Sequence, residues 1–174
     1  LGDVYKRQPY MRLKYGISID GKIANQGKES KWITSEDSRT FVQSKRAEVN
    51  AILTTCNTVI DDNPYMNIRE KKIKDLITNQ PALIVLDTKM KVPVTSNIFK
   101  TKNRLVIMIT DSKNTSNRPV KTYSENVVIK YVNTTDNGTV NLKDIYEIAK
   151  TYDLNDILIE CGNTLSKYLI QENA

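Results

Sequence analysis

The chain has 174 residues, 39% hydrophobic and 26% charged, the composition of one soluble folded domain. Lys and Arg (26) exceed Asp and Glu (20) for a net charge of +6, and histidine is absent, which excludes Ser-His-Asp and Cys-His triads, a His general base and most zinc sites. Two isolated cysteines, Cys56 and Cys161, form no C-x-x-C pair and point to a reducing, cytoplasmic setting, and the apolar run Leu105–Ile109 is too short to span a membrane.

Asp3-Val4-Tyr5-Lys6-Arg7-Gln8 reads as a translated sequencing-library transposon end, so residues 1–8 are set aside as an adapter scar. Arg12 to Ile19 alternates through Leu13, Tyr15, Ile17 and Ile19, a strand stopped by the turn Asp20-Gly21. Thr34-Ser35-Glu36-Asp37 opens a helix that runs to about Glu48, with Phe41, Val42, Lys45 and Val49 near one stripe. Asn50 to Thr54 is a buried strand, and a short helix covers Asn57 to Ile60 before Asp61-Asp62-Asn63-Pro64. Arg69 to Gln80 is charged loop. Ala82–Leu86 and Arg104–Thr110 are strands, Asp111–Glu125 is loop, and Asn126–Tyr131 is a strand. Leu142–Tyr152 is an amphipathic helix, Asp156–Glu160 a strand, and Gly162–Ile170 a last helix.

Strands that alternate with helices and are themselves continuously apolar predict an α/β fold with a mainly parallel sheet. Ligands in such sheets bind beyond the carboxyl ends of the strands, here at Asp20-Gly21, Thr55–Asp62, Asp87-Thr88, Thr110-Asp111 and Glu160-Cys161-Gly162. No Walker A loop and no G-x-G-x-x-G occurs. Gly162-Asn163-Thr164, after a strand and opening a helix, could seat a phosphate on its amides or be ordinary turn chemistry. Glu160 is either a partly buried functional carboxylate or the first exposed residue after a strand. Asp61 and Asp62 are a carboxylate pair or a turn cap, Lys14 reads as a solvated lysine, and Arg46 suits its helix dipole. Trp32 reads as a hydrophobic anchor, and both cysteines as small packing residues. The basic excess is scattered, densest at Lys71-Lys72-Ile73-Lys74, and reads as solvated faces in preference to a nucleic-acid stripe; a phosphorylated small molecule also suits it.

Several stretches taken together resemble one family. They are Arg12-Leu13-Lys14, Ser18-Ile19-Asp20-Gly21-Lys22-Ile23-Ala24, Ser30-Lys31-Trp32-Ile33-Thr34-Ser35, Arg46-Ala47, Thr58-Val59 with Asp61-Asp62-Asn63-Pro64, Asn67 with Arg69, Val85-Leu86-Asp87, and Leu158-Ile159-Glu160-Cys161-Gly162. In order and spacing they are similar to the reductase domain of the bifunctional riboflavin-biosynthesis deaminase/reductase, over residues 9–174. The resemblance implies a dihydrofolate reductase-like fold and NADPH-dependent reduction of the ribosyl group of 5-amino-6-(5-phosphoribosylamino)uracil to the ribityl product. Hydride would reach the sugar C1′ through a ring-opened imine, a reaction that needs no protein nucleophile.

Carried over by position, the resemblance implies Ser30, Arg46, Met66, Arg69 and Glu160 on the substrate side, with Arg46 and Arg69 clamping the ribose phosphate. It implies Gly16, Trp32, Thr58, Asp62, Thr88 and the loop Gly162, Asn163, Thr164, Leu165, Ser166, Lys167 and Tyr168 on the cofactor side. Lys14, Asp62 and Glu160 are the charged residues nearest the reacting centre, expected to converge on one cleft beside the Gly162 helix, one of them donating a proton. Asn63 stands where a second Asp is common, and Thr88 where Ser is common. The family continues past residue 174, so the domain is expected to be C-terminally truncated. Zinc belongs only to the deaminase domain, expected upstream, and the parent protein is expected to be a homo-oligomer with no nucleic-acid or membrane partner. The alternatives are another dihydrofolate reductase-like NADPH reductase and a non-enzymatic phosphate-ligand binding domain.

Overall fold

The computed structural model describes residues 8–22, 34–115 and 123–172. Six strands form one sheet: β1 (Tyr10–Lys14), β2 (Ala51–Thr55), β3 (Ala82–Leu86), β4 (Val106–Asp111), β5 (Val127–Val132) and β6 (Asp156–Glu160). Their order is β1-β6-β2-β3-β4-β5, and every pair is parallel. The expected α/β architecture with a parallel sheet is therefore the one adopted. The helices are α1 (Glu36–Ala47), α2 (Cys56–Asp62), α3 (Lys71–Lys74), α4 (Leu142–Thr151) and α5 (Asn163–Gln171), with short 3-10 turns at Asn97–Lys100 and Ser112–Thr115.

The two-residue period of the strands sorts the core into two layers. Ala51, Leu53, Ile84, Ile107, Ile109, Ile157 and Ile159 face α4 and α5, meeting Leu142, Ile145, Ala149, Leu165 and Leu169. The alternate residues Ile52, Leu83, Val85, Val106 and Met108 face the other side, against Val59, Met66, Val92 and Ile98. Strands covered on both faces must be apolar at every position, which explains the unbroken runs in β2, β3 and β4.

Four local expectations need correction. The first strand ends at Lys14, not Ile19, because its partner β6 ends at Glu160 and the register pairs those two residues. Beyond them no ladder is available, so Tyr15, Ile17 and Ile19 are exposed, and the chain turns at Gly21 with φ 76°. The segment read as charged loop contains α3, whose Ile73 and Lys74 amides donate to the Glu70 carbonyl. The stripe expected on α1 is also displaced: Phe41 is 60% exposed, while Gln43 and Arg46 are buried. Ser35, not Thr34, caps that helix by accepting a hydrogen bond from the Ser38 amide.

Candidate active site

The carboxyl ends of β1, β2, β3 and β6 open onto one cavity of about 770 Å³. Each strand delivers a polar residue there because the ladder stops. Lys14 and Glu160 are register partners at the ends of β1 and β6. Met11 and Leu13 pack toward α4 and α5, so the alternation turns Lys14 to the opposite face, and the same parity turns Glu160 away from Ile157 and Ile159. The Glu160 backbone is tied to β2 by the Thr54 hydroxyl, which donates to the Glu160 carbonyl at 2.7 Å.

A buried charge cluster follows. Arg46 Nε donates to Glu160 Oε1 at 2.7 Å and Nη2 to Oε2 at 2.9 Å, while Nη1 donates to the Asn67 carbonyl at 2.9 Å. Lys14 Nζ lies 3.7 Å from Glu160 Oε2. Arg46 is 8% and Glu160 6% exposed, so the pair is largely withdrawn from water. Burial pushes the Glu160 carboxyl upward, but hydrogen bonding and charge from Arg46, then Lys14, outweigh it and hold the group below its ordinary 4.5. Two cations against one anion leave this corner of the cavity positive, an environment suited to phosphorylated ligands.

On the other side of the cavity, α2 presents Thr58, Asp61 and Asp62. Thr55 caps that helix, and Asn63 ends it in the left-handed region with φ 42°. Thr88 is set by its neighbours: buried Asp87 accepts from the Lys91 and Val92 amides, each at 2.8 Å, and Asn114 Nδ2 donates to the Thr88 carbonyl. The α5 N-terminus faces the same space. Its cap is Gly162, which carries no side chain to occupy the first-turn amides, the first turn holds no acidic residue, and a Cβ at Gly162 would meet nothing within 4 Å. Free amides at a nine-residue helix start beside an open cavity fit the phosphates of a dinucleotide.

The cavity brings together Lys14, Gly16, Arg46, Thr58, Asp62, Met66, Thr88, Glu160, Gly162, Thr164, Leu165 and Tyr168. The segment expected as a loop from Gly162 to Tyr168 is helical from Asn163 onward. Helical periodicity therefore turns only Gly162, Thr164, Leu165 and Tyr168 to the cavity. Asn163 and Lys167 are exposed elsewhere, and Ser166 is fully buried with its hydroxyl donating to the Gly162 carbonyl. Arg69 is exposed and does not line the cavity; its amide donates to Gln43 Oε1 at 2.9 Å. Ser30 and Trp32 lie outside the described residues.

Sequence reasoning did not single out the turn Asn137–Val140, which walls the cavity opposite α2. Its only signal is a turn at the carboxyl end of β5, stabilised by the Gly138 amide donating to the Thr135 carbonyl. Cys161 also lines the cavity, 3.4 Å from the Ser166 hydroxyl, and burial pushes both thiols up. Among the described residues no cluster of metal-ligating side chains occurs, and no helix is long and apolar enough to cross a membrane.

Comparison with known proteins gives the same fold and a family. A crystal structure of a diaminohydroxyphosphoribosylaminopyrimidine deaminase/5-amino-6-(5-phosphoribosylamino)uracil reductase from Thermotoga maritima superposes with a TM-score of 0.77 at 26% identity, covering 97% of this chain and 43% of that one. A riboflavin biosynthesis protein RibD from Aquifex aeolicus is 31% identical over 167 residues, which are 95% of this chain and 44% of the relative. A 5-amino-6-(5-phosphoribosylamino)uracil reductase from Buchnera aphidicola is 29% identical over 150 residues, 82% of this chain and 69% of the relative. The chain thus spans less than half the length of the RibD relatives it matches. Its fold is the dihydrofolate reductase-like one of these reductase domains. Residues 9–174 match the family described as the RibD C-terminal domain, and the chain belongs to it.

Proposed function

We propose that this chain reduces the ribosyl group of 5-amino-6-(5-phosphoribosylamino)uracil, in riboflavin biosynthesis, at the cavity formed by β1, β6, α2 and α5. The observation that carries this reading is the charge cluster Lys14–Glu160–Arg46, lining one cavity with the adjoining uncapped start of α5 in a member of this family.

NADPH, when bound, supplies the hydride to C1′ of the substrate's ring-opened imine. The chain's residues do the rest. Gly162 and Thr164 offer the α5 amides to the dinucleotide phosphates, with Thr58, Asp62 and Thr88 along the same wall. As C1′ goes from the CH of the imine to a CH2 group, the imine nitrogen takes up one proton and becomes the ribityl amine.

Lys14 is the group that provides this proton. Glu160 is held ionised at neutral pH by Arg46 and Lys14 and acts as an acceptor, not an acid. It orients the Lys14 ammonium toward the cavity. Arg46 keeps Glu160 in place while presenting its edge to the substrate, and the exposed Arg69, outside the cavity lining, takes the ribose phosphate as the family resemblance implies.

The test incubates the purified chain with NADPH and the phosphorylated aminouracil. NADPH absorbance should fall only when both are present, and mass spectrometry should find the product two hydrogens heavier. NADPH consumption without that product, or none at all, refutes the reading.

A further inference from the structure

Arg104, at the head of β4, is the largest side chain among the fully buried residues, at 1% exposure. It does not line the cavity, and among the described residues no carboxylate pairs with it. Its guanidinium donates instead to three backbone carbonyls: Nη1 to Tyr65 at 3.1 Å and to Met66 at 2.7 Å, and Nη2 to Ile98. Its Nε has no partner among the described residues. Burial, and then the charge of Arg46, pull its pKa down to about 10.

Such a group is a poor means of stabilising a fold. A buried cation without a counter-ion loses its hydration, and three carbonyls replace it incompletely. What Arg104 holds explains its presence. Met66 lines the cavity with a φ of 46°, a conformation a methionine rarely adopts and keeps only when its surroundings enforce it. The next carbonyl, Asn67, accepts from Arg46 Nη1. Three consecutive carbonyls, those of Tyr65, Met66 and Asn67, are thus gripped by two guanidiniums, Arg104 from the core and Arg46 from the cavity.

We propose that Arg104 is a positioning residue for the substrate side of the cavity, fixing the Tyr65–Asn67 backbone so that Met66 and the Arg46–Glu160 pair are presented to the aminouracil. This rests on the function proposed above. Among the described cofactor-side residues only Asp62 is near this backbone, and it is held in α2 ahead of the helix end at Asn63, so the effect falls on the aminouracil.

The experiment titrates the whole chain calorimetrically with NADPH and with the phosphorylated aminouracil, for wild type, Arg104→Lys, Arg104→Met and the core variant Ile145→Val, alongside Tm. Both Arg104 variants should bind the aminouracil about tenfold or more weakly. Their NADPH affinity should stay at the wild-type level, and Arg104→Lys should bind the aminouracil more tightly than Arg104→Met. Ile145→Val, on the opposite face of the sheet, should lower Tm without that split. Unchanged aminouracil affinity, equal weakening of both ligands, or failure of both Arg104 variants to fold would each overturn the proposal and assign Arg104 to stability alone. Wild type that binds NADPH but not the aminouracil would instead refute the functional reading beneath it.

Discussion

Arg46 and Glu160 meet through two parallel hydrogen bonds, Nε to Oε1 at 2.7 Å and Nη2 to Oε2 at 2.9 Å, joining a helix to the end of the strand beneath it. Removing one partner leaves the other charged, buried and without its fork. Arg46→Ala should therefore cost roughly 3–5 kcal/mol of unfolding free energy, measured by urea denaturation. Replacing both residues by methionine should recover most of that loss, as the double-mutant cycle will report. A loss below about 1 kcal/mol for Arg46→Ala would place the pair with surface ion pairs instead.

The same pair sets an acid limit. The folded-state pKa of Glu160 lies below its ordinary 4.5. The unfolded chain therefore binds the proton more readily, and the stabilisation is complete above that ordinary value. It is lost as pH falls through the lower, folded value. Other carboxylates are also lowered, among them Glu48, Asp20 and Asp111, so the informative quantity is a difference. Wild type minus Glu160→Gln stability should be largest near neutrality and shrink on acidification. A difference that is flat with pH would contradict the assignment.

Lys14 lies 3.7 Å from Glu160 and lines the cavity. In its proposed role as proton donor it acts on the rate more than on binding. Lys14→Met should reduce kcat by about 10²–10⁴ while NADPH still binds with near wild-type affinity by fluorescence titration. A kcat that survives this substitution would move the role to Asp62 or to solvent.

Thr164 sits in the first turn of α5 and faces the cavity. An aspartate there suits the helix dipole, so folding is not harmed. The same carboxylate would oppose a phosphate on the first-turn amides. Thr164→Asp should therefore weaken NADPH by about tenfold or more, a loss near 1.4 kcal/mol, with Tm unchanged or raised. Equal NADPH affinity would put the phosphates elsewhere.

Arg69 is exposed, outside the cavity lining, with its amide fixed by Gln43. Arg69→Ala should raise KM for the phosphorylated substrate and leave kcat nearly intact, because a phosphate contact is shared by ground and transition states. A fall in kcat at constant KM would argue against a phosphate contact.

The sheet was readable because buried parallel strands are apolar throughout, and β2, β3 and β6 were bounded to within a residue of their actual ends. The first strand was overextended because alternation in Tyr15, Ile17 and Ile19 continues after the partner strand has stopped, and only pairing tells where a ladder ends. On α1 an apolar-stripe reading selects Phe41, whereas the inward face carries Gln43 and Arg46. Arg46 faces inward because it serves the cavity and Gln43 because it fixes the Arg69 amide, and hydropathy is blind to both. The residues around the cleft came from resemblance to a family, while their convergence on one cavity came from strand register. Arg104 was invisible on both grounds, since an arginine heading an apolar strand reads as its solvated flank and only the fold shows it enclosed.

The order of the strands carries a consequence for how the protein is made. β6, the last of the described strands in sequence order, lies between β1 and β2, the first two. Until it leaves the ribosome, β1 has no parallel neighbour among the described strands, and Lys14 has no Glu160 to face. At about 5–20 residues per second the amino-terminal strand waits on the order of 10 s. Of the six described strands, β1 is thus synthesised first and is among the last to be seated. Truncations before β6 should leave β1 sensitive to protease even where β2, β3 and β4 are already protected.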